Sequence, residues 1–268
     1  MNFYNKYLDI VKKNNSYVCV GLDTDIKKIP QCLKSADNPM LEFNKQIIDA
    51  TKDYVAAYKP NFAFYISEGI TGIKTLKETI AYIPSHIPVI IDIKAGDIGN
   101  TMEQYAKSMF CDFKCDAITI NPLMGTDVFD ACFKIKDAYV FALALTSNPS
   151  AKDFFKHHDL SDKIATTINS YGVIKTGAVV GATQTQDLTK MRNLMPETIF
   201  LIPGVGAQGG DLEKVVQLAK HNAQNPNFLI NSSRGIIYAN NCQTEEFAQK
   251  AQEACLNLKN QINKLLLT

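Results

Sequence analysis

Residues 89–101 read VIIDIKAGDIGNT, an unbroken apolar run that meets Asp92, Lys94 and Asp97 almost without transition. A continuous run rich in β-branched residues reads as a parallel strand covered on both faces, whereas a half-exposed antiparallel strand would alternate. Charges at the end of such a strand are costly unless each is neutralised by a neighbour. The stretch therefore predicts a buried strand whose C-terminal tip carries a working group of charges.

Outward from it, the same kind of run recurs. Strands are expected at 17–22 (YVCVGL), 55–59 (VAAYK), 88–93 (PVIIDI), 116–121 (DAITIN) and 138–143 (AYVFAL), then at 177–182 (GAVVGA), 199–203 (IFLIP) and 227–231 (NFLIN). Between them lie segments such as MLEFNKQIIDATKDY and EKVVQLAKH, with apolar residues at the three-and-four spacing of helices. Eight strands alternating with helices over about 250 residues is the size of a (β/α)8 TIM barrel. A doubly wound open sheet is the alternative. No linker, low-complexity tract or repeat divides the chain, so residues 1–268 are expected to form a single α/β catalytic domain. Residues 3–13 read as an extra N-terminal helix and 242–265 as the closing one.

Composition removes several classes of function. Lys+Arg 28 against Asp+Glu 27 leaves a net charge of +1, with no basic footprint for nucleic acid or an acidic membrane. An anionic ligand must then be caught by local groups. The cysteines at 19, 32, 111, 115, 132, 242 and 255 are scattered, with no histidine beside the 111/115 pair, which argues against zinc and for reduced thiols. The N-terminus carries charges inside its apolar pattern and so is not a signal peptide, and no run reaches the length of a membrane span. A cytoplasmic protein is expected.

In a TIM barrel the C-terminal ends of the strands carry the chemistry. Here those ends supply Asp23, Lys59, Asp92 with Lys94, and Thr146-Ser147. Asp92 and Lys94 are two apart, which on an extended strand sends both side chains to one face, with Lys59 on the neighbouring strand. Asp97 lies at the entry to the next helix, where it or Asn100 could instead serve as a cap. Histidines 86, 157, 158 and 221 fall away from the strand ends, which argues against a Ser/His or Cys/His nucleophile. The chemistry is left to lysine and aspartate. A lysine flanked by carboxylates suits a general acid; a Schiff-base nucleophile needs a lowered pKa.

A second group closes the chain's last two strands. IPGVGAQGGD (202–211) brings glycines 204, 206, 209 and 210, and INSSRG (230–235) brings Arg234. Loops after strands seven and eight are the usual phosphate site of these barrels, with glycine admitting backbone N–H groups and arginine gripping the anion.

These residues together resemble the orotidine 5′-phosphate decarboxylase family. Asp92-Ile-Lys94-Ala-Gly-Asp97 matches its Asp-x-Lys-x-x-Asp signature, and Asp23 in VGLD, Lys59 in YKPN, Pro203–Gly210 and Ser-Arg234-Gly follow in the family's order. The resemblance runs from about residue 17 to 240, and the length and DIGNT place it nearest the longer bacterial branch. It implies conversion of orotidine 5′-monophosphate (OMP) to UMP and CO2, the last step of de novo pyrimidine synthesis, with no metal and no cofactor. It implies Lys94 as the proton donor to C6, Asp92 facing the leaving carboxylate, and Lys59 and Asp97 completing the charged array. Asp23 and Lys59 would meet the ribose hydroxyls, Ser147 the base, and Gln208 and Arg234 the phosphate; Ile98, Thr101 and Pro203 count among the substrate contacts. The family's second aspartate crosses a dimer interface, so a homodimer sharing Asp97 and Thr101 is implied. The chain departs from the family's pattern at Ala95, where longer members often carry arginine, and at Ser233, where compact members have glycine. It also lacks the long lid after the glutamine.

Three rivals are distinguishable. A magnesium-dependent β-keto sugar-phosphate decarboxylase or hexulose-phosphate synthase shares the Asp-x-Lys-x-x-Asp strand but carries a further glutamate on its early strands; here strand two ends Tyr58-Lys59-Pro60. A Schiff-base aldolase would need its lysine in apolar surroundings. A non-catalytic nucleotide-phosphate binder would leave the charged array without use.

Overall fold

Each of the apolar runs forms a strand: β1 (Val18–Leu22), β2 (Ala57–Pro60), β3 (Ile90–Ala95), β4 (Ala117–Ile120), β5 (Tyr139–Leu145), β6 (Thr176–Val180), β7 (Ile199–Pro203) and β8 (Phe228–Ser232). The computed structural model describes residues 1–181, 185–205, 211–222, 225–241 and 244–267. The strands pair in parallel in the order β2-β1-β8-β7-β6-β5-β4-β3. The two ends of that order also meet: Tyr58 and Asn61 bridge to Val89 and Asp92, and the Tyr58 N–H donates to the Pro88 carbonyl at 3.0 Å. The result is a single-domain, nearly closed (β/α)8 barrel, not an open sheet.

The expected flanking helices are present with shifted ends. The N-terminal one spans Phe3–Asn14, with the Asn2 side chain accepting from the Asn5 N–H at 3.0 Å as an N-cap. Its apolar face buries Phe3, Tyr7 and Ile10, each contributing about 1.5–3 kcal/mol on burial. Phe3 packs tilted against Tyr139 and edge-on to Phe141, at ring-centroid distances of 4.5 and 5.2 Å, and the Tyr7 hydroxyl donates to the Phe228 carbonyl. This helix therefore stoppers the barrel at the N-terminal ends of the strands and leaves the opposite mouth as the open one. The closing helix begins at Phe247, later than the 242 expected, and ends at Leu266. Among the described residues, no helix is long and apolar enough to cross a membrane.

Inward positions of β5 to β7 are apolar and tightly spaced. A Cβ on Gly177 would collide with the ring of Phe141 and come within 2.9 Å of the Ile199 carbonyl oxygen. Gly177→Ala is expected to destabilise the barrel by about 1–3 kcal/mol through overpacking. Thermal unfolding checks this, and an unchanged Tm would remove the argument for close packing at that point.

Candidate active site

The strand ends gather a charged cluster around Asp92. Lys59, from β2, reaches Asp92 Oδ2 at 2.9 Å, and Lys94 reaches Oδ1 at 2.6 Å. The Thr119 hydroxyl, from β4, donates to the same Oδ1 at 2.8 Å. Lys59 and Asp92 are buried, at 4% and 9% exposure, while the Lys94 side chain is about half exposed to the mouth at 48%. Burial by itself would push the Asp92 carboxyl up, but the Lys59 and Lys94 ammoniums outweigh it and hold the group well below the usual carboxylate range. Burial pulls Lys59 down, and the Asp92 and Asp23 carboxylates more than offset that, holding it above the usual lysine range. Each charge is tolerated because its neighbours compensate it, which answers why a buried strand ends in charges.

The meeting of Asp92 and Lys94 does not come from a regular strand. Ile91 pairs with Ile118 and Ala95 with Ile120, so three residues of β3 stand opposite Thr119 alone. Lys94 takes a left-handed backbone, φ 51°, a conformation that costs a non-glycine residue on the order of 1–2 kcal/mol. Asp92 and Lys94 do meet, but not through the strand alternation expected from the sequence. A bulge, not a pleat, aims Lys94.

Two adjoining cavities open at this end. The first, about 360 Å3, has a polar wall of Lys59, Asp92, Lys94 and Thr119, and an apolar wall that includes Leu143, Val179, Leu201 and Pro203. Thr146, Ser147 and Asn148 edge it. The second, about 160 Å3, shares Lys59, Asp92 and Pro203 with the first and extends to Asp23, Gly204, Asn231 and Arg234. Gly204 sits at φ 85°, which favours glycine. Asp23 and Asn231 line it, and the Oδ1 of each is a buried acceptor with no hydrogen-bond partner. Ser233 packs its side chain on Gly21 of β1, a position at which any Cβ would collide with the Ser233 hydroxyl. Ala95 is buried at the end of β3. The geometry can hold a flat, largely apolar ring beside Lys94, with a hydroxyl-bearing linker running to an anion at Arg234.

Of the residues singled out from the sequence, Lys59, Asp92, Lys94, Ser147 and Pro203 line the first cavity, and Asp23 and Arg234 the second. Asp97, Ile98 and Thr101 line neither. The Asp97 carboxylate accepts from the adjacent Ile98 N–H at 2.8 Å. Neither Asp97 nor Asn100 caps the following helix, Gly99–Ala106: its N-cap residue is Ile98, and Asn100 lies inside it. Gln208, with Gly206, Gly209 and Gly210, lies outside the described residues. Thr119 and Asn231 were not among the expected site residues. Thr119 is one β-branched residue in an apolar run, and only the pairing of β3 with β4 reveals its place. Among the described residues, no histidine lines either cavity, and no group of three or more His, Cys, Asp or Glu side chains is gathered as for a metal ion.

Comparison with known proteins gives a consistent result. Residues 16–247 match the model of the orotidine 5′-phosphate decarboxylase / HUMPS family. An orotidine 5′-phosphate decarboxylase of Parabacteroides distasonis is 46% identical over 253 residues, covering 91% of this chain and 89% of that protein. Among solved structures, the OMP decarboxylase of Leishmania donovani superposes with a TM-score of 0.86 at 31% identity, covering 100% of both chains. The UMP synthase of the same organism matches with a TM-score of 0.85 at 34% identity, and this chain spans 57% of its length.

Proposed function

The chain belongs to the orotidine 5′-phosphate decarboxylase / HUMPS family, and from that premise we propose that it converts OMP to UMP and CO2 with Lys94 as the proton donor. The observation that carries the reading of the site is the Lys59–Asp92–Lys94 chain of ion pairs on the polar wall of the larger cavity.

The pyrimidine lies in the larger cavity against Leu143, Val179, Leu201 and Pro203, with Ser147 at its edge. Its ribose hydroxyls meet Asp23, whose Oδ1 lacks a donor, and Lys59. The 5′-phosphate reaches Arg234 and the backbone at Gly204. The substrate carboxylate then points at Asp92. As the C6–carboxylate bond breaks, its electron pair stays on C6 and CO2 leaves. The Lys94 ammonium gives its proton to C6 to complete UMP, and Lys94 recovers a proton from solvent. Asp92, itself held by Lys59, keeps that ammonium in place before the charge develops, so little reorganisation is needed in the transition state. No step calls for a metal or an organic cofactor.

A homodimer in which Asp97 and Thr101 complete the neighbouring subunit's site is part of the same reading. Its support is the exposure of Ile66, Ile70, Ile98, Leu123 and Met124, large apolar side chains on the segments that follow β2, β3 and β4. A cytoplasmic location fits the free thiols of Cys19, Cys32, Cys111, Cys115, Cys132 and Cys255.

The test is decarboxylation of OMP by EDTA-treated protein, followed by the loss of OMP absorbance. Turnover equal to that of untreated protein is expected. No OMP turnover in either state, with a β-keto sugar phosphate decarboxylated only when magnesium is added, would move the assignment to the sugar-phosphate branch of the family.

A further inference from the structure

We infer that Thr119 is a positioning residue for the proposed reaction, its hydroxyl locking Asp92 and the bulged backbone of Lys94 into one arrangement; the inference rests on the reading of Lys94 as proton donor.

Between Ile91 and Ala95 the β3 ladder loses its regular match to β4. A left-handed residue inside that gap cannot direct its N–H into an ordinary strand ladder. The Lys94 N–H instead donates to Thr119 Oγ1 at 2.9 Å. The same oxygen then spends its own proton on Asp92 Oδ1 at 2.8 Å. One hydroxyl, in a residue only 1% exposed, therefore satisfies a stranded backbone donor and orients a buried carboxylate. It does both from the strand that faces the bulge.

The consequence for Asp92 is rotational. Oδ2 is held by Lys59 and Oδ1 by Lys94, but both ammoniums end flexible chains, and Lys94 is half exposed. Thr119 supplies the one short, β-branched donor, whose χ1 is restricted and whose strand is buried. With it, the carboxylate plane is fixed against the barrel wall, and Lys94 is fixed twice: at its backbone by Thr119, and at its ammonium by Asp92. A hydrocarbon of the same shape would leave the Lys94 N–H without a partner and Asp92 held by its two ammoniums alone. Misplacement on this scale is expensive in a preorganised site.

Thr119→Val keeps volume and β-branching and removes only the hydroxyl; Thr119→Ser keeps the hydroxyl and removes a methyl. Both are measured for kcat and KM on OMP beside wild type, with Tm recorded for each. Thr119→Val is expected to lower kcat by about 10- to 100-fold, the range of one lost hydrogen bond to a charged group, with KM within about threefold of wild type. Thr119→Ser is expected to recover most of the lost kcat even if its Tm falls with the missing methyl. That split separates positioning from packing, since a residue that served only the core would be hurt more by serine than by valine. Wild-type kcat in Thr119→Val overturns the inference alone, as does a serine variant as slow as the valine one. Wild-type protein without OMP turnover overturns the functional reading and this inference together.

Discussion

Lys94→Ala is expected to lower kcat for OMP decarboxylation by about 10²–10⁴-fold, the usual worth of a positioned general acid, while leaving affinity for UMP within about tenfold. The expectation follows from where the side chain sits. Its ammonium reaches Asp92 at 2.6 Å but is about half exposed, so truncation removes a charge that solvent already bathes. Asp92 keeps Lys59 at 2.9 Å and Thr119 at 2.8 Å, and the barrel keeps its core. Asp92→Ala would be a poorer test, because it strands the buried Lys59 without its acceptor, and breaking a buried pair typically costs about 3–5 kcal/mol. Lost activity there would mix unfolding with chemistry. Single-turnover measurements on Lys94→Ala, with UMP titrated calorimetrically, divide the two. UMP formation at the wild-type rate would remove Lys94 as the acid. Loss of UMP binding along with turnover would make Lys94 a binding residue instead.

How much of this could be read from the sequence depended on the range of the interactions involved. The strands announced themselves because a parallel strand covered on both faces is apolar throughout, as in VIIDI and IFLIP. The order of elements then fixed which residues stand at the mouth, and Asp23, Lys59, Asp92, Lys94, Ser147, Pro203 and Arg234 all line the two cavities. What could not be read was set by pairing. The three-to-one bulge opposite Thr119 depends on β4's register, and the left-handed φ of Lys94 has no local signature, since lysine is not a residue chosen for that region. Arg192 is a similar case. It looks like a surface helix residue, yet it is buried, donates to the carbonyls of Ala219, Met195, Pro196, Thr198 and Asn227, and lies over the ring of Phe200. Burial pulls its guanidinium down to about 9. It ties helix ends to the bases of β7 and β8, a role that only the fold creates.

Mixing inactive Asp97→Ala and Lys94→Ala variants is expected to restore activity, to about a quarter of wild type. The figure follows from two-fold symmetry. Random reassortment of equal amounts makes about half the dimers hybrid, and each hybrid holds one site with both an intact Lys94 and an intact Asp97 from its neighbour. The reason to expect sharing is geometric. Within one chain the Asp97 carboxylate turns back to the Ile98 N–H at 2.8 Å and lines neither cavity, although it lies only three residues from Lys94. Ile98 and Thr101 are exposed near the half-buried Asp97, and the exposed Ile66, Ile70, Leu123 and Met124 offer apolar surface for a second copy. Asp97 is three residues from Lys94 yet lines neither cavity of its own chain, which is why we propose that a second subunit uses it. The mixture is dissociated and reassociated under mild denaturant, then assayed against each variant treated alone. Recovery assigns Asp97 to the neighbouring site. No recovery, with hybrids verified by native mass spectrometry, means that each subunit carries a complete site and that Asp97 acts, if at all, within its own chain.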